Sequence, residues 1–320
     1  MIEFQQYQTH NISNWIGEDE NSGQLLGFKW RGGRKRETTG ILMWSEIFTH
    51  DYENGDKVAI ILLDTQGFFD GRTSIRDCST IFALSTMLSS VQCYNLMHNI
   101  QEDNLQHLQL FTEYGRLALE QTNEKPFQYL LFLVRDWQYA YEIDYGWYGP
   151  EVIDDLLVNI DEQTAEMREL RHRINSSFED IGAFLMPHPG LIVAQGEHFT
   201  GDLKQIEPNF MKYTKLLTPL LFAPENLIVK KINGENVRAR DLVQYLQAYL
   251  NIFNDKSLPE PKTVLLATAE ANNVILQNDC VNLYVDLMQK SLDTTQSFFT
   301  ELELNDLHQN AKYKAMKQPS

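Results

Sequence analysis

Short runs of apolar residues, each ending in a polar or glycine-containing turn, organise the first part of the chain. Three of them are VAIILL before Asp64, FQYLLFLV before Arg135, and AFLM before Pro187. Each run is too short for an isolated helix, and its continuous apolar character is typical of a strand that is buried on both faces. A fourth segment, Ser89–Leu96, alternates more strongly and is a further candidate strand.

Between these runs, apolar residues recur at the spacing of a helix. Two series show it: Leu105, Leu108, Phe111 and Leu117-Ala118, and then Met167, Leu170, Ile174, Phe178 and Ile181. Strands that alternate with helices predict βαβ units, so we expect an α/β fold whose mostly parallel sheet is flanked by helices. One hairpin interrupts this order, because the strand-like segment Gly40–Phe48 and an Asn54-Gly55 turn precede Val58.

The last part of the chain has a different pattern. A turn at Asn233-Gly234 precedes the helical stretch Asp241–Phe253, and Ser257–Pro261 is an extended linker because each proline disfavours helix in the residue before it. From Lys262 to about Met316 there is no Gly or Pro, which predicts helix throughout. We therefore expect two domains, residues 1–257 and an incomplete helical segment at residues 258–320.

The charge balance excludes some classes of protein. Lys and Arg number 27 against 44 Asp and Glu, which gives a formal net charge of −17 at pH 7. Such a surface repels phosphate backbones, so we expect no nucleic acid among the partners. No stretch approaches the ~20 apolar residues of a membrane-spanning helix, and the N-terminus has no leader pattern, which indicates a soluble intracellular protein.

Polar residues at the strand ends suggest phosphate chemistry. In open α/β sheets, ligands bind at the C-terminal ends of the strands. An aspartate such as Asp64 can hold Mg²⁺ through water, the backbone N–H of Gly67 can approach a terminal phosphate, and a threonine of the segment Arg36–Gly40 can offer its hydroxyl to the same metal. The alternative is that DTQG is only a strand-ending turn.

Four motifs in this order carry a resemblance to a known family. WRGGRKRETTG, LLDTQGFFD, LVRDW and LMPHPGL resemble the atlastin family of dynamin-like GTPases, and the resemblance covers roughly Trp15 to Asn273. It implies a P-loop-GTPase-like fold and Mg²⁺-dependent hydrolysis of GTP to GDP. It also implies a homodimer through the GTPase domain, and a role in homotypic fusion of endoplasmic reticulum membranes on their cytoplasmic side.

The resemblance also implies a catalytic role for three residues. Thr38 matches the switch threonine that coordinates Mg²⁺ and closes over the γ-phosphate. Asp64 matches the aspartate that holds the metal through water, and Gly67 matches the glycine that senses the γ-phosphate.

Four further residues match the nucleotide-binding positions of the family. Gln66 matches a residue of the pocket, and Val193 matches one that packs beside the base, although Gly196 stands where members carry a polar side chain. Arg135-Asp136 replaces the usual Asn-Lys-x-Asp motif, as it does across this family. The two oxygens of the Asp136 carboxylate suit guanine, because they can accept its N1–H and N2–H2 together.

A phosphate-binding loop is missing from the sequence as given. GxxxxGK[ST] does not occur, and Met1–Phe4 resembles the helix that follows this loop in the family, so the chain is expected to start just after it. The family's catalytic arginine lies in the same loop, which makes GTP hydrolysis by this chain doubtful. Two alternatives stay open: a catalytically dead interaction module that pairs with full-length relatives, and a wrongly assigned start of the gene.

The remaining charged candidates have two interpretations each. The basic cluster Arg31, Arg34, Lys35 and Arg36 contacts either nucleotide phosphates or a partner subunit, or it lies in a solvated loop. His98 and His107 lack metal-ligand spacing and are interpreted as surface or internally bonded histidines.

Overall fold

The structure is a computed structural model that describes residues 28–29, 37–67, 75–150, 153, 164–195, 199, 201–253, 259–293 and 298–317. Two compact units divide the chain, Met1–Val237 and Arg238–Ser320. The domain boundary after residue 257, which the sequence predicts, stays a prediction.

Two antiparallel strand pairs come first in the described chain. They are β1 (Ile41–Met43) with β4 (Leu63–Thr65), and β2 (Phe48–Asp51) with β3 (Lys57–Ile60). The Asn54-Gly55 turn joins β2 to β3, as the sequence predicts. The expectation of a single strand over VAIILL is wrong. Its two parts pair with different strands, and Ile61 and Leu62, both half-buried, separate them.

The main sheet confirms the α/β fold class. Its strands are β5 (Val91–Met97), β6 (Phe127–Arg135), β7 (Gly146–Tyr148) and β8 (Phe178–Leu185), in the spatial order β5-β6-β8-β7. β5, β6 and β8 are parallel, and β7 pairs antiparallel with β8. A short hairpin of β9 (Lys231–Ile232) and β10 (Glu235–Asn236) follows later in the chain.

Helices connect and flank these strands. In the described part of the first unit they are α1 (Ile75–Leu88), α2 (Glu102–Gln106), α3 (Gln109–Thr122), α4 (Ala165–Ser177), α5 (Leu191–Gln195) and α6 (Pro208–Phe222), with two 3-10 turns at Leu203–Gln205 and Pro224–Asn226. Thr164 caps α4 by accepting the backbone N–H of Met167 at 3.3 Å. Phe178 and Ile181, which the helical spacing assigns to this helix, instead belong to β8. Pairing with β6 overrides the local pattern there.

The core of the first unit centres on β6. Leu130, Leu131, Phe132 and Val134 are all fully buried, and each such side chain contributes about 1.5–3 kcal/mol on burial. At the start of the strand, the rings of Phe127 and Phe178 lie 5.1 Å apart between centroids. A strand packed on both faces in this way holds the residues at its C-terminal end, Arg135 and Asp136, in a fixed place.

The second unit is helical. It consists of α7 (Ala239–Phe253), α8 (Pro261–Leu292) and α9 (Glu301–Lys317), with α8 packed against both of the others. Tyr249 and Thr268 form a buried hydroxyl–hydroxyl hydrogen bond of 3.1 Å between α7 and α8. None of the helices that the structure describes is long and apolar enough to span a membrane.

The expectation of continuous helix from Lys262 to Met316 is wrong. α8 ends at Leu292, and α9 begins after Thr300. A capping box starts the new helix. The Glu303 carboxylate accepts from the Thr300 backbone N–H at 2.8 Å, and the Thr300 hydroxyl accepts from the Glu303 N–H at 3.3 Å. The T-x-x-E spacing of this cap is visible in the sequence.

Candidate functional site

The structure brings Thr38 and Asp64 together. Asp64 lies in β4, opposite Leu42 of β1, and the Thr38 hydroxyl donates a hydrogen bond of 2.5 Å to the Asp64 carboxylate. Both side chains are half-buried. The β1–β4 ladder therefore sets the threonine loop directly beside the DTQG turn, as the predicted roles of the two residues require.

Gln66 holds the same loop from the other side. Its backbone N–H donates to the carbonyl of Gly40, and its side-chain Oε1 accepts from the N–H of Gly40, both at 2.9 Å. Gln66 is only 5% exposed, so this pair of bonds is shielded from water. Gly40 itself has φ +73°, a left-handed conformation that favours glycine.

The Thr38–Asp64 pair has the donor chemistry of a magnesium site. Mg²⁺ prefers oxygen ligands and is held in phosphate-binding sites by one or two protein groups, with waters and substrate phosphates completing the shell. Among the residues that the structure describes, no cluster of three or more His, Cys, Asp or Glu forms a metal cage. A hydroxyl and a carboxylate in contact fit a Mg²⁺ site in which waters and substrate phosphates supply the remaining ligands.

Gly67 follows Gln66 at an exposed position. No described neighbour lies within 4 Å of where a Cβ would stand, and its φ is outside the left-handed region. Packing within the described residues thus does not demand glycine at this position. Close approach of a phosphate to its N–H stays the predicted reason.

Arg135 and Asp136 end the central strand β6. The Arg135 side chain donates through Nε to Oδ1 of Asn95 on β5 at 2.6 Å. Asp136 has φ +57°, and its Oδ1 is buried without a hydrogen-bond partner among the described residues. A buried carboxylate oxygen without a donor costs free energy, and this one lies just past the C-terminal end of β6, where the sequence predicts base recognition.

Backbone bonds tie the end of β8 to the same place. The Met186 N–H donates to the carbonyl of Val134 at 2.8 Å, and the Trp137 N–H donates to the carbonyl of Met186 at 3.0 Å. The chain then leads through Pro187–Gly190 to α5, where Val193 is half-buried. The packing of Val193 beside a base stays a prediction.

Comparison with known proteins identifies the family. Residues 17–231 match the family model described as guanylate-binding protein, N-terminal domain. The chain belongs to the guanylate-binding protein family.

Similar proteins also confirm the resemblance to atlastins. Atlastin of Drosophila melanogaster is 52% identical over 316 residues, which is 98% of this chain and 58% of the fly protein. Atlastin-2 of Homo sapiens is 49% identical over 306 residues, covering 95% of this chain and 52% of the human protein. Atlastin-1 of Bos taurus is 47% identical over 305 residues, with 95% and 54% covered. The chain thus spans little more than half the length of these relatives.

Two residues that lie against Arg135 and Asp136 are not among those that the sequence predicts for the site. Asn95 accepts a hydrogen bond from Arg135. His98 is exposed, and its Nδ1 lies 3.4 Å from the backbone carbonyl of Asp136. The sequence predicts His98 only as a surface or internally bonded histidine. The signal that points to them is their place at the C-terminal end of a strand next to β6. The basic cluster Arg31, Arg34, Lys35 and Arg36, and also Gly196, lie outside the described residues.

Proposed function

We propose that this chain is a guanine-nucleotide-binding domain of the atlastin type, which takes GTP and GDP with Mg²⁺. The observation that carries the proposal is the buried Oδ1 of Asp136 at the C-terminal end of β6, which has no hydrogen-bond partner among the described residues. Parallel strands present ligands at this end. The match of residues 17–231 to the guanylate-binding family supports the same choice of ligand.

Guanine fits Asp136 better than adenine does. A carboxylate has only acceptors, and guanine offers two adjacent donors, N1–H and N2–H2, whereas adenine presents an acceptor at N1. Charge-assisted hydrogen bonds of this kind contribute about 1.5–3 kcal/mol each. The pairing of Oδ1 with a guanine N–H also removes the cost of leaving that oxygen unsatisfied.

At the phosphate end, Thr38 and Asp64 are the residues that would hold Mg²⁺. When bound, the ion neutralises the charge that develops on the phosphate oxygens. The chain's own residues orient the groups of this site. Asp64 fixes the Thr38 hydroxyl through a 2.5 Å bond, and Gln66 fixes Gly40 so that the loop stays against β4.

The activity of the whole protein extends the proposal. We infer that the protein hydrolyses GTP, pairs with a second copy through the GTPase domain, and acts in homotypic fusion of endoplasmic reticulum membranes from their cytoplasmic side. The support is the similarity to atlastins over 95–98% of this chain. A catalytically dead interaction module is the alternative that the experiment must separate from it.

The test compares the binding of fluorescent GTP and ATP analogues and then measures phosphate release. The expected result is tighter binding of the guanine analogue, and any phosphate release that belongs to the chain should be abolished by Asp64→Ala. Guanine preference without phosphate release would favour the interaction module. Equal affinity for the two analogues would contradict guanine recognition by Asp136.

A further inference from the structure

We propose that Asn95 and His98, at the C-terminal end of β5, are positioning residues for the guanine site. Asn95 orients the guanidinium of Arg135, and His98 holds the backbone of Asp136 in position. The inference rests on the proposed function, because it concerns how that site acquires its base specificity. It assigns part of the specificity to a strand that carries none of the family's motif residues.

The Asn95 contact uses strand register. Met97 lies opposite Arg135 in the parallel β5–β6 ladder, and Asn95 lies two residues before it on the same face of β5. Its Oδ1 takes the Nε hydrogen of Arg135 at 2.6 Å, a short bond to a charged donor. The two terminal nitrogens of the guanidinium have no partner in the described part of the chain. Asn95 thus fixes the plane of the group while leaving its outer donors free for a ligand.

His98 acts on the backbone. The backbone N–H of His98 donates to the carbonyl of Arg135 at 2.8 Å, and this bond continues the β5–β6 ladder one residue past the strand. Its Nδ1 lies 3.4 Å from the carbonyl oxygen of Asp136. A carbonyl has no hydrogen to give, so this contact requires the proton on Nδ1. In the other tautomer, in which Nδ1 carries no proton, Nδ1 can accept from the side-chain amide of Gln138, which also lies 3.4 Å away.

Both strands leave the sheet in an uncommon conformation. His98 has φ +67° and Asp136 has φ +57°, and non-glycine residues in this region are strained. The His98 side chain is exposed, so burial of the ring does not explain the conformation. The two strained residues instead contact each other across the strand ends, next to the carboxylate oxygen that has no partner in the described part of the chain.

The contacts do not compete with a ligand. The Nδ1 atom of His98 faces the backbone oxygen of Asp136 and not its carboxylate, whose Oδ1 keeps no partner among the described residues. Asn95 likewise occupies the inner nitrogen of Arg135. Both side chains therefore act through another residue, and we expect them to alter base discrimination more than general stability.

The test measures dissociation constants of fluorescent GDP and ADP analogues on the 320-residue chain and its variants, together with thermal midpoints. Asn95→Ala should weaken GDP binding about tenfold, the effect of losing a bond to a charged group, with ADP binding and the midpoint unchanged. Asn95→Asp keeps the acceptor oxygen and should restore GDP binding. His98→Ala should weaken GDP binding to a smaller degree, and His98→Gln, which retains a side-chain N–H, should recover part of it.

Cys93→Ala is the matched control, because Cys93 is an exposed residue on the same face of β5, two positions before Asn95. It should leave both affinities unchanged. If the unaltered chain shows no preference for GDP, the proposed function fails and the inference fails with it. If the unaltered chain prefers GDP and Asn95→Ala and His98→Ala keep that preference, only the inference is overturned. Equal loss of GDP and ADP binding with a lowered midpoint would show a merely structural role.

Discussion

Two aspartates at strand ends have opposite surroundings, and the difference matches two kinds of ligand. Asp64 accepts a hydrogen bond from Thr38, so its carboxylate is paired with a hydroxyl that can share a metal. Asp136 keeps a buried oxygen without a donor among the described residues, as suits a group that waits for N–H donors. The same side chain is thus proposed to serve phosphate chemistry at one strand and base recognition at another.

Replacement of Asp136 by Asn should remove the preference for guanine. The variant exchanges one acceptor oxygen for an NH2 group, which faces a guanine donor and loses a charge-assisted bond of about 1.5–3 kcal/mol. We expect at least a tenfold loss of affinity for a fluorescent GTP analogue and little change for ATP. Asp144→Asn makes the same charge change at an exposed site and is the control. An unchanged ratio of the two affinities in Asp136→Asn would refute this role.

Gln66 offers a second test at the residue scale. Gln66→Met keeps the length of the side chain but removes the acceptor for the Gly40 N–H, a loss of about 1 kcal/mol. The amide hydrogen of Gly40 should then exchange roughly fivefold faster, which hydrogen-exchange NMR can measure. Gln128→Met is matched, because Gln128 is another buried glutamine whose side chain bonds the backbone of Lys231. It should leave Gly40 unaffected, and equal protection of Gly40 in Gln66→Met would contradict the predicted clamp.

The residues of the candidate site were predictable to the extent that each carries its own chemical signal. Asp64 follows an apolar run, and its type suggested a metal contact, whereas the nucleotide and base contacts of Gln66 and Asp136 came from the resemblance to atlastins. The residue types of Asn95 and His98 give no such signal, and only their place at the C-terminal end of a strand next to β6 points to them. Their contacts depend on the register of β5 against β6, which pairs segments far apart in the chain and leaves no trace in local spacing.

At the scale of elements, the pattern located β5, β6 and β8 but misplaced two ends. Phe178 and Ile181 continue the helical spacing of α4, yet both are strand residues, because pairing with β6 outweighs propensity. The break before α9 was missed because neither Gly nor Pro marks it. Only the T-x-x-E cap at Thr300 gave a local signal.

Gly115 provides a prediction about the packing of α3 on α4. A Cβ at this position would lie 2.3 Å from the hydroxyl oxygen of Ser177 and 2.8 Å from its Cβ. Ser177 is fully buried and donates to the carbonyl of Arg173 at 2.7 Å, so it cannot turn away freely. Gly115→Ala should therefore destabilise the chain by up to about 2 kcal/mol, since overpacking costs about 1–3 kcal/mol against a gain of about 1 kcal/mol in helix propensity.

Urea denaturation measures this effect, and a double-mutant cycle isolates its cause. Ser177→Ala removes the oxygen that the new methyl group would meet. Gly115→Ala should therefore cost less in that background than in the unaltered chain, by more than the error of about 0.5 kcal/mol. Equal costs in the two backgrounds would mean that contact with the Ser177 hydroxyl does not limit the approach of the two helices.

At the scale of the whole molecule, acidic charge predominates, but the Lys230 side chain is drawn inward. The chain carries a net charge of −17, yet the Lys230 ammonium group donates to the Ser89 carbonyl at 3.1 Å and lies 5.8 Å from the centre of the Phe127 ring. Burial lowers the pKa of Lys230 from its ordinary value of 10.5 to about 7, against the opposing effect of Glu179. This lysine connects the segment before β9 to the start of the main sheet.

The shift in the pKa of Lys230 makes the stability of the protein depend on pH. Between pH 7 and 10.5 the unfolded chain binds a proton at Lys230 that the folded chain has released, so the free energy of unfolding rises with pH in this window. Below pH 7 both forms are protonated and the folded state bears the full cost of the buried charge. Lys230→Met should lose this rise, because methionine fills a similar volume without a titrating group.

Urea denaturation at pH 6, 7.5 and 9 measures the difference in stability between the unaltered chain and Lys230→Met. The advantage of the variant should be largest at pH 6 and should shrink steadily toward pH 9, whatever its absolute size, since other titrating groups affect both proteins alike. Lys231→Met removes the same charge from the neighbouring half-buried lysine, which pairs with Glu179 at 3.5 Å, and should keep the slope of the unaltered chain. A constant difference between the unaltered chain and Lys230→Met at the three pH values would show that the ammonium group stays charged in the folded protein.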